Sequence, residues 1–229
     1  MVMKRCSIMS KTVVITGASR GIGLSFSQLY QERGYVVYAA CRNASSELAA
    51  LGVNVIEGVD VTKPEGVQRL AVALEGVDID LLINNAGILR DEVLGNIDQT
   101  TIRQQFETNA LAPLLVTESL IGNLSAQAKV AFITSRMGSV TDNTSGGRYG
   151  YRMSKAALNI AAVSMAHDLK PKGVAVAILH PGLVGTDMIG GVGDITPDQA
   201  ADRLSQRIDQ LNLSNTGTFW HSNGEILPW

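Results

Sequence analysis

Two cysteines among 229 residues are too few to staple a fold. Cys6 lies near the start of the chain and Cys41 at the end of an apolar run. No structural disulfide is expected, and a reducing compartment, the cytoplasm, fits better. Long apolar runs are absent as well. No stretch reaches the roughly eighteen apolar residues of a membrane-spanning helix, so no span is expected. Residues 1–10 carry Lys4 and Arg5 with no apolar block behind them. They read as a flexible tail, neither secretory leader nor anchor, and their three methionines leave the true start open. Charge of neither sign dominates: the net is −2 and no basic run occurs, which argues against a nucleic-acid partner. There is also no internal repeat, no low-complexity linker and no break in composition. One domain over residues 11–229 is the expectation.

What is present is apolar patterning. The hydrophobic fraction is 45% against 17% charged, enough for a large core. Short runs at Thr12–Thr16, Tyr35–Ala40, Val53–Ile56, Ile79–Ile83, Lys129–Thr134 and Val174–Leu179 are apolar at nearly every position. Such runs belong to strands covered on both faces. A late strand around Gly217–Trp220 would close one edge. Helical patterns fill the gaps: Gly21–Arg33 ended by Gly34, Pro64–Glu75 with Thr62 as cap candidate, Thr100–Ile121, and Gly150–Leu169. Thr196-Pro197-Asp198-Gln199 reads as a capping box. Strand–helix alternation predicts right-handed βαβ units, a doubly wound α/β fold of about seven parallel strands with helices on both faces.

Two stretches carry candidate chemistry. The first strand runs into Thr16-Gly17-Ala18-Ser19-Arg20-Gly21-Ile22-Gly23 and then a helix. Glycines there would let backbone approach a pyrophosphate, and the helix N-terminus offers free N–H groups. A plain glycine turn is the alternative. Farther on, Tyr151 and Lys155 stand four apart at the start of a helical pattern, hence on one helix face. A cation beside a phenol lowers its pKa. By itself this spacing fits either a tuned acid/base or an exposed turn of helix.

Together these stretches resemble the classical short-chain dehydrogenase/reductase family. The glycine spacing, G-x-x-x-G-x-G, matches that family's motif at Thr16 to Gly23. Asn84-Asn85-Ala86-Gly87 matches its strand-four motif, Asn109 its helix asparagine, Ser135 its serine, and Tyr151 with Lys155 its Tyr-x-x-x-Lys. Pro181, Gly182 and Thr186 match its Pro-Gly and threonine. The resemblance implies a Rossmann fold that moves a hydride between nicotinamide and a carbonyl or alcohol. Tyr151 would be the general acid/base. Lys155 would lower its pKa and bond the nicotinamide ribose, Ser135 would hold the substrate oxygen, and Asn109 would hold a water reaching Lys155. Asn109 as a surface residue or a kink is the bland alternative. Tyr149 is not the catalytic tyrosine, because Met153 stands four residues on.

The same resemblance places Gly17, Ser19, Arg20, Gly21, Ile22, Gly23, Asn85, Ala86, Gly87, Pro181, Gly182, Val184 and Thr186 around the cofactor, with Asp60 and Val61 flanking the adenine. No acidic side chain stands at Cys41 or Arg42 to bond a ribose 2′-OH. Arg42 offers a guanidinium suited to a 2′-phosphate, so NADP(H) is expected over NAD(H); a solvated arginine is the alternative. No metal is expected, since His167 and His180 lack partners at ligand spacing. His167 reads as a surface residue and His180 as strand-end packing.

Two departures from the family pattern stand out. Arg136–Gly150 is longer than the usual loop and reads as a flexible flap over the substrate, in which Ser139 rivals Ser135. Asp187–Ile195 is a short, glycine-rich lid, which implies an open site. With the tail Asn223–Trp229, these features resemble the C-factor-like, sniffer-like carbonyl reductase branch. Arg136, Arg148 and Arg152 would either favour an acidic substrate or be solvated, and Met137, Met153 and Met188 would line the pocket. A dinucleotide-binding signalling protein with little or no turnover is the alternative function, and a dehydratase or epimerase a third. The helices Thr100–Ile121 and Gly150–Leu169 make the family's usual dimer face, so a homodimer or homotetramer is expected.

Overall fold

The computed structural model describes residues 10–229. Cys6 and nearly all of the expected tail lie outside them. Seven parallel strands form one sheet: β1 (Thr12–Thr16), β2 (Val36–Ala40), β3 (Asn54–Ile56), β4 (Ile79–Asn84), β5 (Leu124–Ile133), β6 (Ala175–His180) and β7 (Phe219–His221), in spatial order β3-β2-β1-β4-β5-β6-β7. The order reverses between β1 and β4, the place where open α/β sheets bind ligands.

The helices are α1 (Gly21–Glu32), α2 (Ser46–Ala50), α3 (Pro64–Ala73), α4 (Gln99–Phe106), α5 (Ala112–Ser119), α6 (Tyr149–Leu169) and α7 (Pro197–Gln210). They cover both faces of the sheet, which explains the continuous apolar runs. Val14, Leu82, Val130 and Phe132 pack toward α3, α5 and α6 with Leu70, Val116 and Leu158. Their neighbours Val13, Ile15, Leu81, Ile83 and Ala131 point the other way, toward Phe26, Tyr30, Leu48, Leu204 and Ile208. Each such side chain contributes on the order of 1.5–3 kcal/mol by leaving water. A charge at Val14, wholly buried in the central strand, would break the fold.

Local expectations differ from the structure in three places. Thr62 does not cap α3: its N–H and hydroxyl both donate to the Asp60 carboxylate, and Lys63 takes the cap position without a side-chain bond. The five-residue α2 was not anticipated. The expected long helix over Thr100–Ile121 is broken into α4 and α5 by a π-turn, Glu107–Leu111. Pro113 has no N–H to give the Asn109 carbonyl four residues back, so the α ladder cannot run through, and Ala112 instead donates to Glu107 five back. The capping box at Thr196 is present in full, with Thr196 Oγ1 accepting from Gln199 N and Gln199 Oε1 from Thr196 N.

Candidate active site

At the carboxyl end of β1 the chain turns through Gly17 (φ +66°) and Gly21 (φ +54°) into α1. A Cβ on Gly17 would stand 2.8 Å from the Ala86 Cα, so glycine is what lets this turn lie against the strand-four motif. Asn85 stitches the two together: its Nδ2 donates to the carbonyls of Thr16 and Gly17, while the N–H groups of Asn85 and Ala86 reach Thr16 Oγ1. Ser19 donates to Asn43 O, tying the loop to the end of β2. Arg20 takes the N-cap of α1 in extended conformation with no side-chain cap. The first N–H groups of α1 are therefore left to an anion, and Ile22 and Gly23 lie in that first turn. This cradle fits a dinucleotide pyrophosphate. Thr186 Cγ2 lies 3.4 Å from where a Gly21 Cβ would be, so the turn after β6 borders the same cradle.

Arg42 is exposed beside this cradle and, among the described residues, makes no ion pair. The other cation, Arg20, faces Asp187 at 3.9 Å with both side chains exposed. Partial burial raises the Asp60 carboxyl, but the Thr62 hydrogen bonds and the Arg42 and Lys63 charges outweigh it, and the group ends below its usual value. Val61 borders a narrow crease with Thr16, Asn84 and Ala86. Pro181 and Gly182 (φ +95°) follow β6 directly, and Pro181 O accepts from Ser222 Oγ. Val184 is buried and pairs across the lid with Ile195.

The chemical end lies past β5. Ser135 follows that strand, Tyr151 and Lys155 stand on the first turns of α6, and Asn109 stands in the π-turn; all four are buried. Lys155 Nζ lies 5.8 Å from the Tyr151 ring centre and donates to Ile133 O at 2.9 Å. Asn109 Oδ1 accepts from Ile88 N, and its Nδ2 donates to Ile88 O and to Ser154 Oγ. The side chain therefore locks the segment after Gly87 onto α6, and Asn109 is not a surface residue.

Burial, rather than Lys155, is the leading influence on the phenol. Burial pushes the Tyr151 phenol up, opposed by the Ser135 hydroxyl and the Arg148 charge. The same burial pushes the Lys155 ammonium down to about 8. Burial thus disfavours the charged form of each, though a lysine at about 8 keeps its proton near pH 7, and Lys155 is not among the groups that draw the phenol down. Ser139, the rival serine, is occupied in the loop, where its Oγ accepts from Asp142 N.

The Arg136–Gly150 segment is not a free flap. Arg136 pairs with Asp142 and Glu225, Thr141 N donates to Trp229 O, and Trp229 stacks on Phe219 at 5.3 Å. At its far end Arg148, in left-handed conformation (φ +50°), donates its N–H to Glu92 O. The lid over Asp187–Ile195 also bonds to itself: Gly191 N reaches Thr186 O, and Asp194 N reaches Leu183 O. Met153 stands exposed on the outer side of α6, seven residues from the exposed Ile160, and does not line the cleft as expected. His167 is exposed; His180 is half-buried with its ring edge against His221, ring centres 4.9 Å apart.

Glu92 was not anticipated. It is 2% exposed, and its carboxylate accepts from Gly150 N (3.0 Å), Thr101 Oγ1 (2.8 Å) and Gln105 Nε2 (2.6 Å). A Cβ on Gly150 would stand 2.6 Å from Gln105 Nε2, so glycine admits this contact. No motif marks Glu92; Gly150 directly before Tyr151 was the available signal.

A family model described as short chain dehydrogenase matches residues 11–196. A 1-hydroxy-2-glutathionyl-2-methyl-3-butene dehydrogenase of Rhodococcus sp. strain AD45 is 44% identical, over 95% of this chain and 99% of that one. The C-signal of Myxococcus xanthus is 44% identical, over 66% of this chain and 93% of that one. Among solved structures, the NADPH-bound carbonyl reductase from chicken fatty liver has a TM-score of 0.89 at 29% identity, covering 96% of this chain and 99% of that one. The carbonyl reductase Sniffer of D. melanogaster has a TM-score of 0.89 at 27% identity, covering 96% and 100%.

Proposed function

The chain belongs to the short-chain dehydrogenase/reductase family, in the C-factor-like and sniffer-like branch, and from that premise we propose that it is an NADP(H)-dependent carbonyl reductase or alcohol dehydrogenase with Tyr151 as general acid/base. The observation that carries this reading is the convergence of Ser135, Tyr151 and Lys155 in one buried cluster past β5. A bound nicotinamide would supply the hydride. Ser135 orients the substrate oxygen against the phenol. Tyr151, held protonated by burial, gives its proton to the oxygen as negative charge develops there. Lys155, whose proton affinity burial lowers toward neutrality, restores that proton. In the reverse direction the same groups accept it. Asn109 keeps the Ile88 segment and α6 in register, so that the phenol and lysine face one cleft.

NADP(H) over NAD(H) rests on Arg42, exposed past the end of β2 and in no ion pair among the described residues, with Asp60 near enough to feel its charge. The solved carbonyl reductase with NADPH bound supports the same choice. The substrate is a small carbonyl or alcohol, as the names of the Rhodococcus and chicken proteins suggest. A homodimer or homotetramer would bury the exposed Phe106, Leu115, Met153 and Ile160 on α4, α5 and α6; a solution mass equal to one chain would end that part of the reading.

The Myxococcus relative, named for a signal, favours a second reading: a dinucleotide-binding regulator with little turnover. One experiment separates the two. NADPH and NADH are titrated by nicotinamide fluorescence, carbonyl compounds are then added, and absorbance loss is followed with Tyr151→Phe as control. Turnover that depends on the phenol supports the enzyme; tight binding without turnover on any carbonyl supports the regulator.

A further inference from the structure

A cavity of about 440 Å³ opens beside the first turn of α6. Asp91, Glu92, Met137, Arg148 and Arg152 line it with the glycines of the preceding loop. Its position ties it to the chemical end of the site. Met137 N donates to Ser135 Oγ, and Arg148 Nη1 lies 3.9 Å from Met137 Sδ. Arg152 follows Tyr151 directly in the helix.

The wall carries two carboxylates and two guanidiniums, but they are not all paired with one another. Glu92 is buried, with its carboxylate spent on Gly150 N, Thr101 and Gln105. Asp91 is held by Arg148 Nε at 2.7 Å. Arg152 faces no carboxylate among the described residues. Its Nε and Nη2 reach only the carbonyls of Gly146 and Gly147 and the Ser145 hydroxyl. Those neutral acceptors hold the guanidinium half-buried in one orientation, with Nη1 unused by the described protein. A positioned, unneutralised guanidinium with N–H groups free on Nη1 is matched by an anionic oxygen that takes a charge-assisted hydrogen bond there.

We propose that this cavity binds a carboxylate on the substrate, on the arm away from the reacting carbon. Arg152 is its main contact, and Arg148 is a second, released in part from the exposed Asp91. The cavity is large enough for several linking atoms between the carboxylate and the carbonyl, so the preferred substrates are oxo acids or hydroxy acids with a spacer. This inference rests on the reading of Tyr151 as the reacting centre.

The test uses the full-length protein with NADPH and three oxo acids: 4-oxobutanoic acid, 5-oxopentanoic acid and 4-carboxybenzaldehyde, each beside its methyl ester. Both kcat/KM and ternary binding, read from nicotinamide fluorescence, are measured. The acid is preferred over its ester by roughly tenfold or more for at least one spacer. Arg152→Gln brings that ratio close to one, chiefly through KM. Lys172→Gln, exposed beyond the far end of α6, leaves the ratio as in the parent. Equal handling of acids and esters by the parent, or a preference that survives Arg152→Gln, overturns the subsite even if turnover is brisk. Acids that bind in an Arg152-dependent way without being turned over support the subsite and sink the catalytic reading instead.

Discussion

The Glu92 carboxylate accepts the N–H of Gly150 at 3.0 Å, across 58 residues of sequence, and so caps the helix that carries Tyr151 from outside. Arg148 at the N-cap supplies no side-chain bond, and its left-handed backbone is the wrong shape for the usual cap. A carboxylate from the segment after β4 takes over that task and complements the positive end of the α6 dipole. Through Thr101 and Gln105 the same carboxylate holds α4, which leads into the Asn109 turn. One buried carboxylate thus relates the Tyr151 helix to the Asn109 turn.

Replacing Glu92 by Gln turns one of the two oxygens into a donor, facing either Gly150 N or the Thr101 and Gln105 donors. We expect a loss of about 1–3 kcal/mol in denaturant stability, as for an unsatisfied buried group. We also expect kcat to fall more than the affinity for NADPH, because α6 moves while the glycine loop does not. Stopped-flow kinetics beside NADPH titration reads both, and an unchanged kcat would mean that Glu92 serves stability alone.

Tyr151→Phe keeps the ring and its packing but removes the transferable proton. Turnover should drop by about 10²–10⁴, the usual scale of general acid/base help, while the melting temperature stays within a few degrees. Ser135→Ala should cost less and mostly in kcat. A Tyr151→Phe protein with near-parental turnover would remove the phenol from the chemistry.

Arg42→Glu presents a carboxylate where a guanidinium stood. NADPH affinity is expected to fall by roughly tenfold to a hundredfold, since a charge-assisted contact is replaced by repulsion. NADH should bind no worse than to the parent. If both cofactors respond alike, Arg42 does not contact the 2′ position.

His180 provides a pH signature. Burial first, then the neighbouring His221, Arg136 and Lys155, push its pKa down to about 3. The folded chain therefore keeps His180 neutral while the unfolded chain protonates it below about pH 6.5. The unfolded state binds more protons in that window, so stability is complete above pH 6.5 and is lost as pH falls toward 3. Urea midpoints of the parent and His180→Asn, compared from pH 7.5 to 5, should show the parent losing about 1–2 kcal/mol relative to the variant. Parallel curves would mean that His180 takes up its proton in the folded state.

The architecture was legible in the residue pattern, as were the residues that converge past β5. Apolar runs such as Thr12–Thr16 and Val174–Leu179 announce strands covered on both faces, because alternate residues must all leave water. The glycine spacing and Tyr151/Lys155 are legible because their chemistry demands particular residue types at short spacing. The π-turn at Asn109 was legible in principle, since Pro113 removes the donor its carbonyl needs. Tertiary structure alone decided what depends on distant neighbours. Glu92 caps α6 only because the sheet brings the segment after β4 against it. Burial, not Lys155, sets the direction of the Tyr151 shift, because desolvation depends on how much protein surrounds the phenol. The Arg136–Gly150 segment, polar enough to read as a flap, is tied down by Trp229 and Glu92, residues far along the chain whose nearness no local pattern records.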